Sequence, residues 1–256
     1  MVRLGNPDAR VSFAPAIPDE VWMLSTRRLL GAVVLLAATW THDVRADERW
    51  NFELVPYVWT SALDGQQRIG DVNVIADTAF GDALDLSNIG GSLRFSAHHL
   101  PWSLYGEVSY VEFEQDGIGP AGSVELGVTQ TLAEAGVGFW LSDHFQVYGG
   151  ARYQDVDNEI RIGTGGAAHR ESWVDGILGV QLAPVASDHW LLWLRGDAGT
   201  GGSDLVWLAE AGAAYSWKDP YAVYVAYRML DTDYQKDDFE YDMRRSGFLF
   251  GFGFRF

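Results

Sequence analysis

The sequence predicts an all-β fold, a transmembrane antiparallel up-and-down β-barrel, and three observations predict it. Apolar and polar residues alternate with a period of two along most of the chain after residue 47, and this period places them on opposite faces of strands. The composition is rich in aromatic residues (14%) and in glycine (29 residues). No segment after residue 46 is apolar for long enough to form a transmembrane helix, so a chain that entered a membrane would have to close into a barrel.

Composition and charge exclude several other classes of protein. Lys and Arg number 18 against 35 Asp and Glu, and a net charge of -17 argues against a nucleic-acid partner because few groups could neutralise phosphates. The chain contains no cysteine, which removes disulfide scaffolds, thiolate zinc sites and cysteine nucleophiles. The spacing of its carboxylates matches no calcium loop. The sequence therefore predicts no metal and no cofactor.

The first 46 residues read as a targeting segment. Arg27 and Arg28 precede the apolar stretch Leu29–Trp40, and Val44-Arg45-Ala46 has the small residues of a cleavage site. The apolar stretch is too short to span a bilayer as a helix. We therefore interpret residues 1–22 as an over-extended start, residues 23–46 as a signal peptide, and residues 47–256 as the barrel.

The alternating pattern resolves into ten strands, the last of which is the clearest. Five phenylalanines share one face of that strand: Phe248, Phe250, Phe252, Phe254 and Phe256. Tight turns are predicted at Leu100-Pro101, Ser142-Asp143-His144, Pro184–His189 and Lys218-Asp219-Pro220. Longer polar connections are predicted at Ala62–Ser87, Asp116–Gly122, Ile162–Arg170, Thr200–Asp204 and Tyr234–Glu240. Outer-membrane barrels have short periplasmic turns and longer external loops.

One segment leaves the strand number open. A spanning strand at Arg68–Thr78 would make the number odd, so we assign Gln66–Phe80 to a structured external loop with a short hairpin. The alternative is a barrel of 12 strands.

The periplasmic interface and the chain end carry recognisable features. Four tryptophans lie beside the predicted tight turns and are expected to form an aromatic girdle at headgroup depth: Trp102, Trp140, Trp190 and Trp217. The ending Gly251-x-x-Phe254-x-Phe256 resembles the signal by which the barrel-assembly machinery of Gram-negative bacteria recognises its clients. The expected partners are this machinery, outer-membrane lipid and lipopolysaccharide, and the expected location is the bacterial outer membrane.

The start of the predicted barrel also resembles a known family. Pro56-Tyr57-Val58-Trp59, Leu63-Asp64-Gly65 and Ala79-Phe80-Gly81-Asp82-Ala83-Leu84 are similar to successive motifs of a family of uncharacterised proteobacterial outer-membrane β-barrel proteins, in which Ser usually stands at the position of Ala79. The resemblance implies the location and the barrel fold. It implies no substrate and no catalytic residues.

Charged residues on the predicted lumen face are balanced in sign. The set contains Glu53, Arg94, Glu107, Glu134, Arg152, Asp175, Arg195, Asp197, Glu210 and Arg228, together with Arg245 and Arg255. Six cations facing six carboxylates indicate mutual pairing rather than an ion-conducting surface. A barrel of ten strands is also close to the size that side chains fill.

These patterns predict a structural or surface-binding protein, or a narrow pore, and no enzymatic activity. One alternative is an enzyme acting on lipid or peptide at the external rim, where His169 would act with Asp237 or Asp238 as an acid–base pair. A second alternative is a channel for small solutes, in which the lumen charges would line a gap instead of pairing.

Overall fold

The computed structural model describes residues 50–70, 72–77, 89–119, 122–162 and 165–256. These ranges form the strands β1 (Asn51–Ile69), β2 (Val72–Asp77), β3 (Ile89–His99), β4 (Trp102–Gly119), β5 (Gly122–Ser142), β6 (Phe145–Ile162), β7 (Gly165–Ala186), β8 (Trp190–Gly201), β9 (Leu205–Lys218), β10 (Tyr221–Lys236) and β11 (Phe239–Arg255). No helix in these ranges is long and apolar enough to cross a membrane. The predicted start and signal segments, residues 1–22 and 23–46, lie outside the described residues.

Ten antiparallel strands close into a barrel, as predicted. Neighbouring strands pair in chain order from β3 to β11, and β1 closes the ring by pairing with β3 on one side and β11 on the other. Among the described strands, β2 pairs only with the outer part of β1, from Asp64 to Ile69. It therefore forms the short hairpin expected within Gln66–Phe80, of which residues 71 and 78–80 are not described. The alternative of 12 strands is wrong.

The closing seam joins the two ends of the barrel sequence. The backbone amide of Phe52 donates to the carbonyl of Phe256 at 3.0 Å, and the amide of Phe256 donates back to the carbonyl of Phe52 at 2.9 Å. Further along the seam, a Cβ atom at Gly247 would collide with the carbonyl oxygen of Thr60. Glycine at this position lets β1 and β11 approach each other to ladder distance.

The period-two pattern sorts side chains between the lipid face and the lumen. The alternate phenylalanines of β11 are exposed on the outside, whereas Leu249 and Arg245, which have the other parity on this strand, are buried inside. The same alternation on β9 exposes Leu205 and buries Val206 and Leu208. Because apolar side chains can face lipid, the exposed rows need no second protein layer.

Three outer connections, those between β4 and β5, β6 and β7, and β10 and β11, are shorter than the sequence predicts. The four tight turns lie at the end where both described chain ends meet, at residues 100–101, 143–144, 187–189 and 219–220. At the opposite end, much of the polar segments expected as loops continues the strands: β4 extends to Gly119, β7 begins at Gly165 and β10 extends to Lys236. Above the membrane both faces of a strand contact water, so the alternation disappears while the ladder hydrogen bonds continue.

Strand lengths differ around the outer rim. β7 has 22 residues, whereas β8 has only 12 and β9 has 14. The β8–β9 hairpin therefore ends ten residues short of the outer end of β7 and three residues short of the outer end of β10. The rim is therefore lower at the β8–β9 hairpin, here called the low rim segment. Above this hairpin, neither β8 nor β9 separates the lumen-facing side chains of β7 from those of β10.

Candidate functional site

Two clusters of ionic side chains cross the lumen and form the candidate site. The first, here called the Arg228 cluster, contains Arg94, Glu107, Glu210 and Arg228. The second, the Arg152 cluster, contains Glu134, Arg152, Arg195 and Asp197. Each side chain faces inward because the pleat of its strand puts its outward neighbours in contact with lipid.

The Arg228 cluster joins strands on opposite sides of the barrel. Arg228 is fully buried and donates to Glu210, opposite it in the β9–β10 ladder, at 2.7 Å, and also to Glu107 on β4. Arg94 donates to Glu107 at 2.6 Å and to Glu210 at 3.1 Å. The Tyr57 hydroxyl donates to Glu107 at 2.7 Å. Two guanidinium groups thus share two carboxylates.

The Arg152 cluster also contains two arginines and two carboxylates. Arg152 is fully buried and lies 2.6 Å from Glu134 and 2.9 Å from Asp197. Arg195 forms an ion pair with Glu134, and the hydroxyl of Tyr148 donates to Asp197 at 2.8 Å. Both clusters are neutral overall, so each buried charge has a counter-charge to offset its loss of hydration.

The other lumen residues expected from sequence lie outside these clusters. Glu53 accepts hydrogen bonds from Arg255 at 2.8 Å and from Tyr224 near the inner end. Asp175 is fully buried on β7 and accepts a hydrogen bond from the backbone amide of Ser203 at 2.8 Å.

Arg245 lies further along the lumen, toward the outer end. Its guanidinium carbon lies 3.7 Å from the ring centroid of Trp59, and the group donates to Ser61 at 2.8 Å and to Gln130 at 3.2 Å. Cation–π contact with a buried Trp therefore contributes to holding this arginine.

An aromatic cluster fills the outer mouth, and sequence reasoning did not identify it. Trp173 on β7 and Tyr234 on β10 stack with ring centroids 4.1 Å apart. The remaining buried members are Leu63, Val128, Val156, Phe239, Tyr241 and Met243. The parity of Trp173 with Asp175 in the sequence indicates a lumen-facing ring, and this signal could have predicted the cluster.

His169 lies at the top of this aromatic cluster, and its neighbours differ from the predicted ones. Its Nε2 atom lies 3.6 Å from Glu171, and its ring stacks on Phe239 with centroids 4.6 Å apart. Asp237 and Asp238, the expected partners, are exposed in the β10–β11 turn. The pairing prediction is wrong because the strands continue to this turn and direct its carboxylates into solvent. Across the described ranges, no group of three His, Cys, Asp or Glu side chains is placed to hold a metal ion.

Glu171 connects His169 to the opposite strand. It lies above the membrane, 16 residues from the inner end of β7, where about 9 to 11 residues suffice to span. Lys236 donates a hydrogen bond to Glu171 at 2.7 Å, and this bond is the main cause of the lowered pKa of Glu171. A hydrogen bond from Tyr234 also lowers this pKa, whereas partial burial raises it. Glu171 and Lys236 thus form an ion pair across the low rim segment.

The inner end of the lumen is hollow. A cavity of about 180 Å³ lies between the ion clusters and the tight turns, and Trp140 lines it. The expected girdle position of Trp140 is therefore wrong: it shares the parity of Glu134, which faces the lumen. The other three tryptophans have the opposite parity to the lumen-facing residues of their own strands. They are exposed on the outside: Trp102, Trp190 and Trp217.

Comparisons with known proteins place the chain in a family. Among solved structures, it is similar to the translocator domain of autotransporter NalP from Neisseria meningitidis (14% identity, 91% of this chain and 97% of that chain covered, TM-score 0.46). It is also similar to Ail, the attachment invasion locus protein of Yersinia pestis (11%, 82% and 100%, TM-score 0.42). No curated protein matches it. The model of the outer membrane protein beta-barrel domain family matches residues 60–256, and the chain therefore belongs to this family of bacterial outer-membrane barrels.

Proposed function

We propose that this protein is a closed, non-conducting barrel of the outer membrane whose outer rim serves as a binding surface. The observation that carries the proposal is the blocked lumen. Going outward from the inner cavity, a solute would meet the two ion clusters and then the stacked rings of Trp173 and Tyr234.

Most members of the two ion clusters are shielded from water. Arg152 and Arg228 are fully buried, and each forms ion pairs with two carboxylates. A conducting lumen needs charged groups that face water and bind ions weakly enough to release them. A permeating ion would instead have to separate buried pairs, at a cost of several kcal/mol per uncompensated charge, about 3–5.

The outer rim presents charged side chains to the surroundings. Exposed cations alternate there with carboxylates, in the pairs Arg68–Glu240, Arg170–Asp155, Lys236–Glu171 and Arg244–Asp231. In the outer leaflet such groups lie at the level of lipopolysaccharide headgroups, and arginine is suited to bind phosphate. Lipopolysaccharide is therefore the proposed lipid partner, and the ending at Gly251, Phe254 and Phe256 supports delivery by the barrel-assembly machinery.

The proposal assigns no catalytic activity to the protein. What supports this part is the environment of His169, whose ring stacks on Phe239 and whose neighbouring carboxylate, Glu171, is already bonded to Lys236 and Tyr234. These bonds lower the pKa of Glu171, whereas a general base needs a pKa near the pH at which it works.

Planar-bilayer recording tests the closed lumen. Protein purified from outer membranes, verified as folded by its heat-modifiable migration on gels, is expected to give no discrete conductance steps. Steps that change with Arg152→Ala or Glu134→Ala would overturn the proposal and make the protein a channel.

A further inference from the structure

The proposed function does not use the cavity at the inner end of the barrel. It opens toward the tight turns, the periplasmic end by the usual arrangement of such barrels. Two adjoining cavities, of about 280 and 550 Å³, share His98 with it and continue the space to the barrel edge. Arg94 and Arg195, members of the ion clusters, close its far end. The cavity is therefore a blind vestibule.

Aromatic side chains held by hydrogen bonds form much of the vestibule wall. The hydroxyl of Tyr148 is bonded to Asp197, and the indole nitrogen of Trp193 donates to Glu210 at 2.9 Å. Tyr105 packs edge-on against Tyr148, with centroids 5.7 Å apart. Because their orientations are set by protein contacts, these rings offer preorganised surfaces to a ligand.

Trp140 contributes a donor to this wall. The Nε1 atom of Trp140 is buried and makes no hydrogen bond within the described part of the chain. Buried indole N–H groups almost always have an acceptor, supplied by protein, water or a ligand. The amide side chain of Gln181 lines the same space.

The charged groups of the vestibule are already neutralised. Arg94 and Arg195 bond to carboxylates of the two clusters, and Glu53 bonds to Arg255. An ionic ligand would have to compete with these pairs and bring its own uncompensated charge into the barrel. The wall therefore favours a neutral molecule that has an apolar face and hydrogen-bonding edges.

We propose that the vestibule is a binding site for a neutral saccharide ring. The C–H face of a pyranose stacks on an aromatic ring, and its hydroxyl edges accept from an indole N–H and exchange hydrogen bonds with amide side chains. The volume is on the order of a dozen water-sized positions, at about 10–15 Å³ each, which is the scale of one monosaccharide. The sugar is either a free solute or the end of a cell-wall glycan.

Calorimetric titration of the purified full-length protein in lipid nanodiscs tests the site. The probes are N-acetylglucosamine, glucose, glucose 6-phosphate and N,N′-diacetylchitobiose, a neutral disaccharide with the β-1,4 linkage of cell-wall glycan. Saturable binding of a neutral sugar is expected, with at least tenfold weaker binding of glucose 6-phosphate. Trp140→Phe, which keeps a ring and removes the N–H, is expected to weaken binding about tenfold, the effect of about 1.4 kcal/mol.

The matched control is Trp102→Phe at the same end of the barrel, where the ring faces outward. This variant is expected to bind like the parent protein. If Trp140→Phe fails to fold, Gln181→Ala replaces it with the same expectation. Tighter binding of the disaccharide would support the site with cell-wall glycan as its source, and tighter binding of a monosaccharide would support it with a soluble source. No saturable binding of any neutral probe, preference for the phosphate, or equal losses in Trp140→Phe and Trp102→Phe would overturn the proposal.

Discussion

Trp173 on β7 stacks on Tyr234 on β10 although two strands, β8 and β9, separate them in the barrel wall. The contact is possible because the β8–β9 hairpin ends early, with its turn between Gly201 and Leu205. Above this turn the two rings meet directly and fill the gap. The mouth is thus closed by side chains from strands that are not neighbours.

Replacing Trp173 with alanine tests the importance of this contact. The ring is 4% exposed, and its loss is expected to destabilise the barrel by about 3–5 kcal/mol, the usual effect of removing a large buried aromatic group. Urea unfolding in lipid vesicles measures the loss. The control is Trp190→Ala, at a residue 50% exposed on the outside, which should cost clearly less. Equal losses would contradict a buried, structural role for Trp173.

The Arg228 cluster predicts strong coupling between its members. Arg228→Met leaves Glu107 and Glu210 with fewer counter-charges in a buried site, so we expect a loss of about 3–5 kcal/mol in the free energy of unfolding. The double variant Arg228→Met/Glu210→Gln leaves one guanidinium and one carboxylate, Arg94 and Glu107, still paired at 2.6 Å. Its loss should therefore be smaller than the sum of the two single losses. Additive losses would show that the cluster does not act as a unit.

Asp233 predicts a stability change that depends on pH. It is the 13th residue of β10 counted from the inner end, above the membrane, and lies directly opposite Asp242 in the β10–β11 ladder. Partial burial, followed by repulsion from Asp242, Asp204 and other nearby carboxylates, raises the pKa of Asp233. A raised folded-state pKa gives a contribution to stability that is fully present below the unfolded-state pKa, about 3.9, and is lost as pH rises through the folded-state value.

Asp233→Asn should accordingly stabilise the barrel at pH 7 and have little effect at pH 3. Cross-strand pairs change the stability of a sheet by about 0.2–1 kcal/mol, and opposed like charges lower it. Because the carboxyl group of Asp233 is largely exposed and screened, we expect a gain near the lower end of this range. Unfolding at both pH values, at low and high salt, measures the difference. Asp188→Asn, in the exposed turn at residues 187–189, is the control. A gain that persists at pH 3 would rule out charge repulsion as the cause.

Two alanine variants at the closing seam can distinguish an effect on membrane insertion from an effect on the stability of the folded barrel. The rings of Phe256 and Phe52 stack with centroids 5.7 Å apart across the closing seam, so either alanine variant removes this contact from the folded barrel. If the ending is an assembly signal, Phe256→Ala should slow insertion in cells severalfold, whereas Phe52→Ala should not. Pulse labelling with separation of folded and unfolded bands measures insertion. Similar insertion rates for the two variants would contradict the signal.

Sequence patterns were sufficient to predict how the strands form the wall of the barrel. The alternation in β11 and β9 predicted which residues face lipid, and the tight turns predicted how the strands are ordered. These features are local: a period of two follows from the pleat, and a turn of a few residues leaves an antiparallel neighbour as the simplest continuation. The outer ends of β4, β7 and β10 were missed because both faces meet water there.

The contacts inside the barrel were decided by tertiary structure. The sequence determined that Arg195 and Glu210 face the lumen, and the two are even opposite each other in the β8–β9 ladder, yet Arg195 pairs with Glu134 on β5. The early end of the β8–β9 hairpin likewise lets Trp173 contact Tyr234. Parity assigns a side chain to a face of the sheet. The partner that the side chain reaches across the lumen depends on the register of every strand around the ring, because register sets the height and direction of each side chain. That information exists only when the ring has closed.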